Sequence, residues 1–237
     1  LALPSNYTIV YQSDSLTITP LAITATADAQ SKVYGDIDPS LTYQITAGAL
    51  VGTDAFTGAI TRTAGENIGQ YVISQGSLAL SANYTLTFIN DTLDITPRAI
   101  TVKADPKAKN FGDADPALTF TITSGSLVGT DAFTGALVRT AGEAVGKYAI
   151  NQGSLTLGGN YAITYVRDSL TIGSRTITVK ADPQSKIYGA ADPTLTYQIV
   201  SGTLQGADNF SGALTRATGE NVGKYICLLY TSDAADE

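Results

Sequence analysis

The 237-residue chain has no histidine, no methionine, no tryptophan and a single cysteine, Cys227. Each absence closes a class of chemistry. Without His, neither Ser-His-Asp nor Cys-His nucleophile systems can be assembled, and zinc loses its commonest ligands. A carboxylate pair of the glycosidase kind stays formally open, but a small repeated module leaves little room for a deep cleft. No enzymatic activity and no cofactor are expected. Charged residues make up only 15% of the chain, and the 14 Lys and Arg are scattered, against a net charge of −7 and a pI near 4.5. Phosphate binding needs clustered cations, so nucleic acid is set aside as a partner. No apolar run approaches the roughly 20 residues that span a bilayer, so no membrane insertion is expected in this stretch.

What is present is apolar enough to fold: 43% hydrophobic residues, with Thr, Ser, Gly and Ala between them. It is also periodic. "KVYGDIDPSLTY" at 32–43 returns as "KNFGDADPALTF" at 109–120 and as "KIYGAADPTLTY" at 186–197. Tyr34, Phe111 and Tyr188 are 77 residues apart in turn, as are Glu66, Glu143 and Glu220, and as are Tyr7, Tyr84 and Tyr161. A fixed period marks one structural module copied in tandem. Residues 1–20 match 78–97 and read as the closing strands of a preceding copy. Two full copies follow, at 21–97 and 98–174, and a third at 175–226 that lacks its closing strands. With no initiator Met and an opening in mid-pattern, the chain reads as a piece of a longer one, its signal and anchor unseen. Residues 227–237, "CLLYTSDAADE", resemble no other part of the chain and read as a translated sequencing adapter; without them the charge falls to 14 − 18 = −4.

Within a copy, "LTYQI", "YTLTF" and "LDI" alternate apolar and polar residues, the period of a strand with one buried face. Gly, Asp, Asn and Pro gather between such runs at "YGDIDP", "TAGENIG" and "SQGS". This pattern predicts five or six short antiparallel strands per copy, in a mainly β chain of small tandem domains. "LVGTDAFTGA", identical at 50–59 and 127–136, is the one candidate for a helical turn, capped by Asp54 and bringing Phe56 to the core. Copies are joined by "LDITP–RAITVKAD", with one Pro and no flexible stretch, which predicts a fixed relation between neighbours and a semi-rigid rod. In the recurring phrase, Gly after the aromatic permits a positive φ, Asp-x-Asp-Pro shapes the next turn, and Leu-x-Tyr/Phe restarts the strand.

The stretches "VYGDIDPSLTY", "GALVGTDAFTGAITRTAGENIGQYVI" and "NYTLTF…LDIT" resemble the YGX-type MBG repeats of large bacterial surface proteins, across residues 1–226. The resemblance implies a small, mainly β, grasp-like domain in the stalk of an adhesin-like or haemagglutinin-like exported protein, and hence an extracellular or cell-surface location. Two departures stand out: Phe111 replaces the signature Tyr, and Ala190 stands where the other copies have Asp36 and Asp113.

Three kinds of candidate site follow from the residues. Asp36, Asp38 and Asp54 could offer oxygens to calcium, but a dedicated site needs six or more oxygens, and the third copy drops one carboxylate, so turn and cap chemistry is the preferred reading. Arg62 and Glu66, with Arg139/Glu143 and Arg216/Glu220, flank a Gly turn and could pair across a surface hairpin, worth at most about 1 kcal/mol. The 13 Tyr could stack on sugars or partners, yet Tyr43, Tyr84 and Tyr161 fall on the apolar phase and read as core. The expected partners are therefore neighbouring repeats, with host glycan or protein as the alternative. Finally, residues 1–19 duplicate the strands that the third copy lacks, so one molecule could complete another by strand addition.

Overall fold

The computed structural model describes residues 4–228. Seven strands form the first copy: β1 Leu21–Ala27, β2 Gln30–Val33, β3 Tyr43–Ala47, β4 Thr61–Arg62, β5 Gly69–Ser74, β6 Tyr84–Ile89 and β7 Asp91–Thr96. They make two sheets, in the orders β3-β1-β6 and β2-β7-β5-β4. Alternation in β1 turns Ile23, Ala25 and Ala27 inward, and alternation in β7 does the same for Leu93 and Ile95. The core joins Ala27, Ile60, Ile73, Leu78 and Leu93, and Leu41, Tyr43, Phe56, Tyr71 and Phe88 pack against it. Both sheets contribute, so neither face could be buried without the other.

The second copy repeats the list with β8 Arg98–Ala104, β9 Lys107–Asn110, β10 Phe120–Ser124, β11 Val138–Arg139, β12 Gly146–Asn151, β13 Tyr161–Val166 and β14 Asp168–Gly173. Its sheets run β10-β8-β13 and β11-β12-β14-β9, the same orders. Its core gathers Ala104, Ile150, Leu170 and Ile172, with Phe111, Leu118, Leu137, Tyr148 and Tyr165 against them. The third copy has β15 Thr178–Ala181 paired with β16 Tyr197–Ser201, and β17 Thr215–Arg216 paired with β18 Cys227–Leu228. The chain divides into two compact units, which cut the second copy between them. One takes the described residues of Leu1–Val102, Ile122–Thr134 and Thr156–Thr164, the other those of Lys103–Thr121, Gly135–Leu155 and Tyr165–Glu237.

The mainly β expectation holds, and four details differ from it. Each full copy has seven strands, because the two-residue β4 and the short β2 are too brief to announce themselves by alternation. Pairing is mixed: β1 runs parallel to β6 and β2 parallel to β7, while β3, β5 and β4 pair antiparallel. Parallel neighbours need long crossovers, here most of the copy. No helix occurs among the described residues. "LVGTDAFTGA" is a turn, with the Asp54 N–H donating to the Val51 carbonyl at 3.1 Å, and Phe56 still reaches the core, edge-on to Tyr43 with centroids 5.2 Å apart. Residues 5–20 form no strand. Their counterparts β6 and β7 pair with β1, β2 and β5 of their own copy. Of the tail read as an adapter, 227 and 228 form β18, and the rest lies outside the described residues.

Candidate functional site: the recurring phrase and its neighbours

The recurring phrase starts at the end of β2, which lies in one sheet, and leads to β3, which lies in the other. It therefore crosses between sheets and needs an anchor. Lys32 on β2 supplies one. Its side chain is only 4% exposed, and its Nζ donates to Asp38 Oδ1 at 2.6 Å, to Glu66 Oε2 at 2.5 Å and to the Asp36 carbonyl at 3.2 Å. Arg62 on β4 closes the square: Nε donates to Asp38 Oδ2 and Nη2 to Glu66 Oε1, both at 2.5 Å, and Nη1 to the Gly65 carbonyl at 2.7 Å. The guanidinium also lies 5.4 Å from the Tyr71 ring centroid. Bonds from Arg62 and then Lys32 hold the Asp38 carboxyl down at about 2. Lys109, Asp115, Arg139 and Glu143 repeat the arrangement, and so do Lys186, Asp192, Arg216 and Glu220.

The Arg62/Glu66 pair predicted from sequence is thus half of a four-member cluster around a buried ammonium. The missing half was visible, since Lys32 and Asp38 recur with the same 77-residue step. What concealed it was distance along the chain: Lys32 and Glu66 are 34 positions apart, and Glu66 stands in the loop after β4, at the opposite edge of the sheet from β2.

Held in this way, the phrase presents Tyr34, Gly35 and Asp36 to the copy that follows. Arg98, the first residue of that copy, donates through Nε to the Tyr34 carbonyl at 2.7 Å and through Nη2 to Asp36. The Tyr34 hydroxyl donates to Asp131 Oδ2 at 3.0 Å, and its ring meets Tyr161 edge-on, centroids 5.5 Å apart. Asn67 Oδ1 accepts from Asn160 Nδ2 at 2.9 Å, and the Ile68 N–H donates to Asn160 Oδ1 at 3.0 Å. Gly35, at φ 81°, lies against Val128, whose methyls occupy the space that a Cβ would take. The next phrase behaves alike: Arg175 Nε donates to the Phe111 carbonyl at 2.9 Å, Arg175 Nη2 to Asp113, and Gly112 lies against Gln205.

Residues 23–94, 100–171 and 177–235 match the MBG domain (YGX type) family. The chain belongs to that family. No curated protein and no solved structure matches it. The three matches are tandem MBG domains, and the turn that carries the Y-G-x signature in the first, like its F-G-D counterpart in the second, falls on the residues just described as facing the next domain. The third match runs past Ile226, where similarity between the copies stops.

The three calcium candidates go to three different partners within the first MBG domain and its junction. Asp36 accepts from Arg98, Asp38 from Lys32 and Arg62, and Asp54 from the Tyr84 hydroxyl at 2.6 Å. Among the described residues no group of three or more Asp, Glu, His or Cys side chains converges as a metal would require. The tyrosines read as core do pack inward: Tyr84 is buried, and Tyr43 and Tyr161 are half-buried. Tyr84 and Tyr161 have a further task that periodicity could not reveal. Each hydroxyl accepts the N–H of the 50–59-type loop (Val51 at 2.9 Å, Val128 at 2.8 Å) and donates to its Asp (Asp54 or Asp131, both 2.6 Å). Burial and the neighbouring Asp131 carboxylate raise the Tyr161 phenol above its usual range. Tyr161→Phe should cost about 1 kcal/mol through the two lost bonds, read as faster hydrogen exchange at Val128 with exchange at Ile73 unchanged.

Proposed function

We propose that these MBG domains are structural spacers in the stalk of a large bacterial cell-surface or secreted adhesin-like protein, outside the cell, setting the reach of a separate adhesive part. One observation carries the reading. The residue that opens one domain, Arg98 or Arg175, is bonded to the family's own turn in the domain before it, the same way at both junctions. A module whose signature residues face its neighbour is built to be followed by another. One Pro between β7 and β8 leaves no slack.

Nitroxide labels at Ala64→Cys and Thr130→Cys, in a Cys227→Ser background, test this through the distance between neighbouring domains. The expected outcome is one narrow distribution that broadens with Arg98→Ala. A broad distribution for the unaltered junction overturns the spacer reading. Reproducible binding of the full chain to a glycan or mucin array would instead favour repeats that bind weakly and gain strength from number.

A further inference from the structure

The first and last strands of the first domain lie side by side. β1 runs parallel to β6 from Leu21↔Tyr84 to Thr26↔Ile89, and β2 runs parallel to β7 from Gln30↔Leu93 to Val33↔Thr96. Since 84 − 21 and 93 − 30 both give 63, the register is unchanged although β1 and β6 lie in one sheet and β2 and β7 in the other. Residues 21–33 and 84–96 are therefore one parallel pair. The Leu21 N–H closes it at one end, donating to the Asn83 carbonyl, and the Tyr34 N–H closes it at the other, donating to the Thr96 carbonyl, each at 2.9 Å. All of these residues belong to one compact unit.

This topology has a mechanical consequence. Tension in the chain enters the domain at Leu21, pulling towards the start of β1, and leaves it at Thr96, pulling towards the end of β7. In a parallel pair those are opposite directions along the strands, so the load shears the ladder. The bonds of a parallel ladder are evenly spaced, and under shear they share the load; peeled from one end, they would break one by one. Packing opposes slip as well. A shift of one residue turns every side chain to the other face. That would expel Ile23, Ala25, Leu93 and Ile95 from the interior and draw Lys32 away from Asp38 and Glu66.

The second domain repeats these bonds. The Arg98 N–H donates to the Asn160 carbonyl at 3.0 Å and the Phe111 N–H to the Gly173 carbonyl at 2.8 Å. β9 runs parallel to β14 from Lys107↔Leu170 to Asn110↔Gly173, again with an offset of 63. Pro97 alone separates β7 from β8, so tension that leaves one parallel pair enters the next without slack.

From this register we infer that the complete MBG domains bear load: the parallel pairing of first and last strands is a clamp against tension along the chain, which a spacer would use but does not require. Forced unfolding is governed by the barrier to unfolding rather than by net stability, so one folded domain can be strong in one direction and weak in another. Single-molecule pulling of the full chain, in the Cys227→Ser background, tests the clamp by changing only the direction of force. Handles at Thr19→Cys and Pro97→Cys, both exposed positions, load the pair in shear. Handles at Thr19→Cys and Ala82→Cys, the latter also exposed, pull β1 and β6 apart from one end. Release of the roughly 250 Å of chain between the first two handles marks unfolding of the whole domain. At one pulling rate, the rupture force across Thr19 and Pro97 is expected to exceed that across Thr19 and Ala82 severalfold. Equal forces, or a weaker domain when it is pulled end to end, overturn the inference and leave the spacer reading standing. A broad label distribution at the junction overturns that reading and leaves the clamp.

Discussion

Gly35→Ala is expected to destabilise the junction between the first and second MBG domains by about 3 kcal/mol, the sum of a left-handed φ that costs about 1–2 kcal/mol outside glycine and a collision that costs at least about 1 kcal/mol. The φ is 81°, and a Cβ would meet Val128 Cγ1 at 2.9 Å with Cγ2 closer still. Val is stiff at χ1 and cannot swing aside. The three copies form an internal series that separates the two contributions. Gly112 has φ 82° but faces the flexible Gln205, and Gly189 has φ 83° with open space beyond. The order Gly35 > Gly112 > Gly189 is expected for the cost of Ala, measured by chemical denaturation of each variant chain. Equal costs at all three would mean that backbone conformation alone explains the glycine, and that contact with the next domain contributes nothing.

That series also shows where sequence reasoning reached its limit. The 77-residue step, the mainly β character and the positive φ of the turn glycine were legible, because each rests on local chemistry: alternation, turn residues, and the one residue without a Cβ. The neighbour of that glycine was not, since Val128 lies 93 positions away and carries no periodic mark of contact. The parallel pairing escaped for a related reason. Alternation tells which face of a strand is buried but not which strand lies beside it, so a copy rich in short strands and Gly turns reads as hairpins. The partners of the carboxylates were hidden in the same way. Asp36, Asp38 and Asp54 look alike as a turn cluster, yet folding sends them to an arginine of the next domain, to a buried lysine with Arg62, and to a phenol.

Asp38→Ala is expected to cost about 2 kcal/mol, less than the 3–5 kcal/mol of a fully buried pair because the Asp38 side chain is 38% exposed and Glu66 remains. The mechanism is the under-compensated ammonium: Lys32, 4% exposed, keeps Glu66 and the Asp36 carbonyl but loses one of its two carboxylates. Lys32→Met, which removes the charge and keeps the apolar stem, should cost about 1 kcal/mol or less, since Arg62 still holds both carboxylates. Removing the acid should therefore hurt more than removing the base it serves, a difference that a simple tally of ion pairs would not produce. Acid titration follows the same logic. The Asp38 carboxyl is lowered from 3.8 to about 2, and Asp115 and Asp192 likewise. A depressed acid contributes stability that is present in full above its ordinary value and is lost as pH falls through its folded value. Denaturation midpoints should hold level at neutral pH and fall as pH drops from about 4 towards 2, and in Asp38→Ala the first domain should lose much of that slope while the second keeps it. Hydrogen exchange resolved by domain reads the two apart, at Ile73 for the first and Ile150 for the second. An unaltered acid slope in the first domain would mean that its stability at neutral pH does not draw on the Lys32 cluster.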